Sequence, residues 1–261
     1  MSWWGKVIGG TFGFVMGGPL GAVLGAALGN YLDQGLQGLA REGFEGGGAH
    51  ERVQTAFFTA VFSLMGYIAK ADGRVSRAEI SLAEQVMGQM RLNADQRKFA
   101  IRLFEQGKAE DFPVQDVLSQ FRRECHRRHT LIQMFLEIIV ATAFADGTLD
   151  ASERKVLETI ASALGVPAQA FAALVQRLGA QFRFQDDQRP EDKLRDAYRS
   201  LGLEAGADTA EVKRAYRKLM SQHHPDKLVS KGLPEEMMEI AKKKTQEIKA
   251  AYETIMAQRG E

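Results

Sequence analysis

Three regimes of apolar and polar positions follow one another along the chain. From Val7 to Leu32 no side chain is charged. From residue 51 to 184, segment after segment places apolar residues at i, i+3, i+4 and i+7, and no stretch alternates as a strand would. From 193 to 261 a second set of amphipathic helices is separated by short polar turns. The intervening stretches, GLQGLAREGFEGGGAH (35–50) and QDDQRPED (185–192), are rich in glycine or charge and read as linkers. The pattern predicts an all-α chain: a glycine-rich transmembrane anchor (1–34), a linker (35–50), a helical bundle with an internal repeat (51–184), a short linker (185–192) and a C-terminal helical hairpin domain (193–261).

The uncharged segment is long enough to cross a bilayer. At ~1.5 Å per residue its helix would reach roughly 39 Å, against ~30 Å of hydrocarbon. Trp3 and Trp4 at one end and Tyr31 at the other supply interfacial aromatics. Glycine disfavours a helix in water, but a bilayer leaves unpaired backbone groups no alternative partner, so the segment is driven to be helical there. Gly5, Gly9, Gly13, Gly17, Gly21, Gly25 and Gly29 recur every fourth residue. Such a stripe lets two helix backbones approach closely, so a homodimer through this segment is expected, with membrane lipid around it. A secretory signal fits less well, because Lys6 is the only basic side chain before the run and GAALGN is a mediocre cleavage site. A re-entrant hairpin turning at Gly17-Gly18-Pro19 would have arms of about a dozen residues, too short to span; Pro19 is expected to kink the helix instead. Lys6 on one side and Arg41 and Arg52 on the other leave the orientation open.

The central region repeats itself. AKADGRVSRAE (Ala69 to Glu79) aligns with AFADGTLDASE (Ala143 to Glu153). Each copy ends an apolar helix at Ala-Asp-Gly and opens the next with a capping box, Ser76 with Glu79 and Asp150 with Glu153. Gly73 and Gly147 are expected to terminate the preceding helices in the left-handed conformation. Asn93 and Gln96 suggest a further capping box. The repeat also has the spacing of the second half of an EF-hand loop, and Asp72, Glu79, Asp146 and Glu153 are its only metal candidates. The carboxylates needed at the first loop positions are missing, since Ile68, Lys70, Thr142 and Phe144 stand there, so caps and turns are the expected role and no metal is assigned. LIQMFLEIIVATAFA (131–145) is too short to span and contains Glu137, so it reads as the central buried helix. On the two Ala-Asp-Gly turns, residues 51–184 resemble the TerB-like helical domain of tellurite-resistance proteins.

Net charge is +1, so no global field selects nucleic acid, and none is expected as a partner. The single cysteine, Cys125, excludes an intramolecular disulfide and any cysteine-based zinc cluster, and fits a reducing compartment. It lies in RRECHRR, expected to be the end of a helix, where cationic neighbours could lower its pKa; with no partner it is read as incidental. The five histidines, His50, His126, His129, His223 and His224, accompany neither a nucleophile nor a ligand set. No enzymatic activity and no cofactor are expected.

The C-terminal region carries the most specific signal. Asp208 and Glu211 cap a helix whose Val212, Ala215, Tyr216 and Leu219 form an apolar stripe. Lys213, Arg214, Arg217 and Lys218 fill its other faces. A loop follows at His224-Pro225-Asp226, and a long helix expected from about Pro234 presents Met238, Ala241, Ile248, Ala251, Tyr252 and Ile255. YRSLGL, EVKRAYRKL, HHPDK and EIKAAYETI, in that order, resemble the J-domain of DnaJ/Hsp40 co-chaperones. Thr245 stands where J-domains often carry an aromatic, which is expected to loosen packing locally. There is no Gly/Phe-rich stretch, CxxC repeat or peptide-binding region after it.

An anchor, a TerB-like domain and a terminal J-domain together resemble the membrane-anchored DnaJ-like family of Gram-negative bacteria. The resemblance implies docking to a cytoplasmic Hsp70 (DnaK) and stimulation of its ATPase, with Lys213 and Arg217 contacting an acidic Hsp70 surface and His224, Pro225 and Asp226 disturbing the contacts that hold its ATP state. It further implies an inner-membrane location with the bulk of the chain in the cytoplasm, and a role in envelope-stress and capsule regulation. The competing expectation is a metal-responsive membrane scaffold acting through the TerB-like domain.

Overall fold

The computed structural model describes residues 19–20, 22–23, 49–71, 77–90, 92, 94–144, 149–185, 190–234 and 237–260. The helices that follow one another through them are α1 (Ala49–Ala69), α2 (Arg77–Gln89), α3 (Ala94–Gly107), α4 (Val114–Glu124), α5 (His129–Ala143), α6 (Ala151–Ala163), α7 (Ala168–Gln185), α8 (Pro190–Ser200), α9 (Thr209–His223), the short α10 (Pro225–Val229) and α11 (Met238–Arg259). No strand occurs among the described residues.

Helix α1 is the axis of the bundle, apolar on nearly all sides, with α3, α4 and α5 packed around it. Its Phe57 meets Phe121 of α4 and Phe135 of α5 edge-on, and those two rings lie 4.6 Å apart. The crossing of α1 and α3 depends on two glycines. A Cβ on Gly66 would stand 1.9 Å from the Phe104 carbonyl oxygen, and one on Gly107 would stand 1.7 Å from that of Ser63. Backbone therefore rests on backbone. Helix α5, expected to be the central helix, packs on α1 instead, and eleven of its fifteen residues are buried, Glu137 among them.

Helix α4 ends at Glu124, inside RRECHRR and short of the expected run to Arg128. Cys125 closes it, and Arg127 follows in the left-handed region at φ 62°. The cationic neighbours of Cys125 do not lower its pKa. The thiol is fully buried, and burial pushes it up to about 12 against the opposing pull of Arg128.

Helices α8, α9 and α11 form a second lobe. Tyr198, Leu201, Val212, Leu219, Ile248, Ala251 and Ile255 fill its core, and Tyr216 stacks on Tyr252 at 4.2 Å. The Arg259 guanidinium closes the open end, donating to the Tyr198 hydroxyl at 2.6 Å and to the Thr209 hydroxyl at 2.8 Å. Helix α8 packs along α7, so the lobe continues directly from the bundle. The described part of the last helix starts at Met238, four residues after Pro234.

Of the expected membrane segment, the described residues include only a short helical piece. Leu20 and Val23 are buried in the bundle's apolar cluster, and the Leu20 N–H donates to the Gln120 side-chain oxygen at 2.7 Å. No helix among the described residues is long and apolar enough to cross a membrane. The seven glycines of the stripe, Asp72, Gly73, Ser76, Asn93, Asp146, Gly147 and the side chain of Glu79 lie outside the described residues.

Candidate partner-docking site at the His-Pro-Asp turn

The site grows out of the way α9 begins and ends. At its start the Asp208 carboxylate accepts the Glu211 N–H at 2.7 Å, and Glu211 accepts the Asp208 N–H at 3.0 Å. At its end Pro225 disfavours helical geometry for the residue before it. His224 is accordingly extended, at φ −60° and ψ 123°. Proline suits the first position of a helix, where its missing N–H is not needed. Pro225 opens α10 there, and the Leu228 N–H donates back to the His224 carbonyl at 3.1 Å. The tripeptide is thus a sharp break between two helices, with His224 and Asp226 exposed and Pro225 half-buried. The Lys227 ammonium spans the break to the Ser221 hydroxyl at 2.7 Å. Lys213 and Arg217, one turn apart on α9, are both exposed.

The segment after the break is held by the bundle. Leu228, Leu233, Met237 and Ala241 are buried in the bundle's apolar cluster and not in that of α8, α9 and α11. Gly232 has φ +102°, and a Cβ there would stand 2.8 Å from a Val53 methyl of α1 and 3.7 Å from Leu131 of α5. Lys231 donates to the Thr130 hydroxyl at 2.8 Å.

Beneath the turn lies a buried polar cluster shared by the two lobes. Glu137 of α5 pairs with Arg177 of α7 and accepts from Gln133 at 3.2 Å. His223 Nε2 lies 3.5 Å from it and Lys244 Nζ of α11 3.8 Å. Gln181 accepts from Lys244 and donates to Glu247 at 2.6 Å. Burial alone would raise the Glu137 pKa. Attraction to His223 when protonated, to Arg177 and to Lys244 outweighs it and leaves the carboxyl at about 2. His223 goes the other way: burial, against the pull of Glu137, pushes its imidazole down to about 4. At neutral pH the cluster therefore holds an ionised Glu137 beside a neutral His223.

His224, Pro225, Asp226, Lys213 and Arg217 thus sit on one helix and the break that ends it. Of the metal candidates, Glu153 is described, and its carboxylate accepts the Asp150 N–H at 3.0 Å, completing a capping box. No group of three or more His, Cys, Asp or Glu placed to hold a metal occurs among the described residues. Thr245 is half-buried and turns its hydroxyl back onto the Lys242 carbonyl at 2.7 Å. His223 was not assigned a role from sequence. The signal was there: it continues the buried stripe of Val212 and Leu219 by one further turn.

Three family models match stretches of the chain. Residues 1–41 match the family model of the co-chaperone DjlA transmembrane domain, 58–177 that of tellurite resistance protein TerB, and 196–259 that of the DnaJ domain. The co-chaperone protein DjlA of Shewanella oneidensis is 49% identical over 208 residues, covering 79% of both chains. The chain belongs to the DjlA family of co-chaperones. The DjlA protein of Photobacterium profundum is 42% identical across 98% of this chain and 99% of its own, and that of Salmonella typhimurium is 46% identical across 79% and 81%. No solved structure matches. In DjlA terms, α8 to α11 are the J-domain and α1 to α7 carry the TerB-like domain, a non-enzymatic arrangement.

Proposed function

We propose that this DjlA-family chain docks a cytoplasmic Hsp70 of the DnaK type through Lys213, Arg217 and the exposed His224-Pro225-Asp226 turn, and stimulates its ATP hydrolysis. The observation that carries the reading is the break itself. Proline geometry forces His224 and Asp226 out into solvent at the end of a helix with a cationic outer face. Charge complementarity of this kind favours fast, salt-sensitive encounter. The chain supplies no catalytic group of its own; the hydrolysis belongs to the partner.

The matched transmembrane domain supports an anchor over residues 1–34, with the remaining chain on the cytoplasmic side, where an ATP-fuelled Hsp70 is available. The glycine stripe supports pairing of two copies within the membrane. The family resemblance extends the reading to envelope-stress and capsule regulation.

Single-turnover ATP hydrolysis by DnaK, measured with the full chain in mild detergent, tests the reading. Wild type is expected to accelerate hydrolysis. His224→Gln is expected to abolish the acceleration and keep the helical circular dichroism, because the His224 side chain is exposed. Equal acceleration by both proteins would remove the turn from the mechanism.

A further inference from the structure

Between the bundle and the J-domain lies a cleft of about 960 Å³. One wall is the end of α4, the turn after it and the start of α5, which bring Arg122, His126, Arg127 and His129 to the cleft; another is α9, which contributes Arg214 and Lys218. Cationic side chains from both lobes thus line one cleft. Glu211 is the only carboxylate among the described lining residues, and its side chain accepts the Asp208 N–H. Among the described residues, Arg127, Arg214 and Lys218 form no ion pair. Like charges gathered around one cleft repel, and an anion placed among them lowers that cost.

The turn that supplies one wall is conformationally unusual. Arg127 is the only non-glycine residue with positive φ among the described residues, at 62°. For a side chain of this size that conformation costs roughly 1–2 kcal/mol, and such strain gathers at functional sites. Arg122 is fixed beside it, its guanidinium donating to the Ala163 carbonyl at 3.2 Å. The floor of the cleft is apolar, with Ile132, Leu136, Leu164, Leu174 and Leu201.

The chemistry of these surfaces selects the occupant. No Phe, Tyr or Trp lines the cleft among the described residues, so it offers no platform for stacking nucleic-acid bases. Its concave shape between two lobes suits a chain better than a planar headgroup surface. An extended polypeptide can place carboxylates against both walls and apolar side chains on the floor. We infer that this cleft is a docking site for an acidic, leucine-bearing polypeptide segment of a partner protein. It is separate from the exposed turn at His224, and it uses Arg214 and Lys218 on α9 in place of Lys213 and Arg217.

The test uses the full chain in mild detergent and a fluorescein-labelled peptide of repeating Asp-Leu-Glu, followed by anisotropy. The peptide is expected to bind, and binding should weaken as salt rises. Arg127→Glu and Arg214→Glu, on opposite walls, should each weaken it by about tenfold, equivalent to ~1.4 kcal/mol. Arg154→Glu, on the exposed face of α6 outside the cleft, should leave it unchanged. Failure of the peptide to bind, or an equal loss in all three variants, would overturn the assignment. So would short-chain phosphatidylglycerol or a single-stranded oligonucleotide that binds the cleft where the peptide does not. Failure of Hsp70 stimulation would leave these outcomes intact, since they do not depend on ATP hydrolysis.

Discussion

His223 and His224 are neighbours with opposite fates. His224 is turned into solvent by Pro225, whereas His223 completes the buried stripe of α9 and is only 1% exposed. Its imidazole faces Glu137, Arg177 and Lys244 and stays neutral until about pH 4, against an ordinary value of 6.5. The unfolded chain therefore takes up a proton at His223 that the folded chain refuses. Stability contributed by the neutral form is present above the unfolded value and is lost as pH falls toward the folded one. Glu137 adds nothing in that window, because it is ionised in both states above its unfolded value of 4.5. Between neutral pH and about pH 5 the wild type should lose about 2 kcal/mol through His223, at ~1.4 kcal/mol per pKa unit. Thermal melting of the full chain across that range measures it, and His223→Phe should flatten the dependence. An unchanged slope in the variant would assign the loss to other groups.

At the scale of elements, glycines decide how closely helices approach. Gly66 and Gly107 face backbone across the α1–α3 crossing, and neither carbonyl can yield without moving its helix. Gly66→Ala and Gly107→Ala should each cost several kcal/mol, at or above the usual ~1–3 kcal/mol for overpacking. Denaturant titration of each variant checks this; losses within half a kcal/mol would show that the helices can separate freely. The glycine stripe of residues 5–29 belongs to the same argument in lipid. Gly13, Gly17 and Gly21 replaced together by leucine should preserve membrane insertion and reduce crosslinking between copies. Unchanged crosslinking would leave the stripe without a role in association.

Elements were legible in the sequence where a periodic pattern or a cap fixed them. The second repeat's capping box at Asp150 and Glu153 forms, as does that of Asp208 and Glu211, because these bonds join residues three apart. Helix α5 was legible as a buried helix from its largely apolar run, although α1 is the axis of the bundle. The end of α4 was not, since nothing local in RRECHRR announces the left-handed turn at Arg127. The role of Gly66 was equally hidden, because the partner that forbids a Cβ is a carbonyl thirty-eight residues away. The site divides the same way. His224-Pro225-Asp226 could be read as a turn from proline chemistry alone, whereas the Glu137 cluster needs α5, α7, α9 and α11 in place together.

At the scale of the molecule, the J-domain and the TerB-like bundle share a core. Leu228, Leu233, Met237 and Ala241 lie downstream of the His224-Pro225-Asp226 turn and are buried on the bundle, so the bundle helps set the conformation of the turn. Hydrogen exchange at the amides of Leu228, Ser230 and Leu233 reads this coupling most directly. In the turn these amides donate to the carbonyls of His224, Asp226 and Leu228 at 3.1, 3.0 and 2.9 Å. Leu131→Ala alters only the bundle, at a buried side chain that a Cβ on Gly232 would approach to 3.7 Å. In the full chain this substitution is expected to speed exchange of those three amides by about tenfold or more, a loss of ~1.4 kcal/mol of local protection. Amides of α6, on the same bundle, should remain protected. Unchanged exchange at Leu228, Ser230 and Leu233 would contradict the account, because the turn would then hold its shape without the bundle.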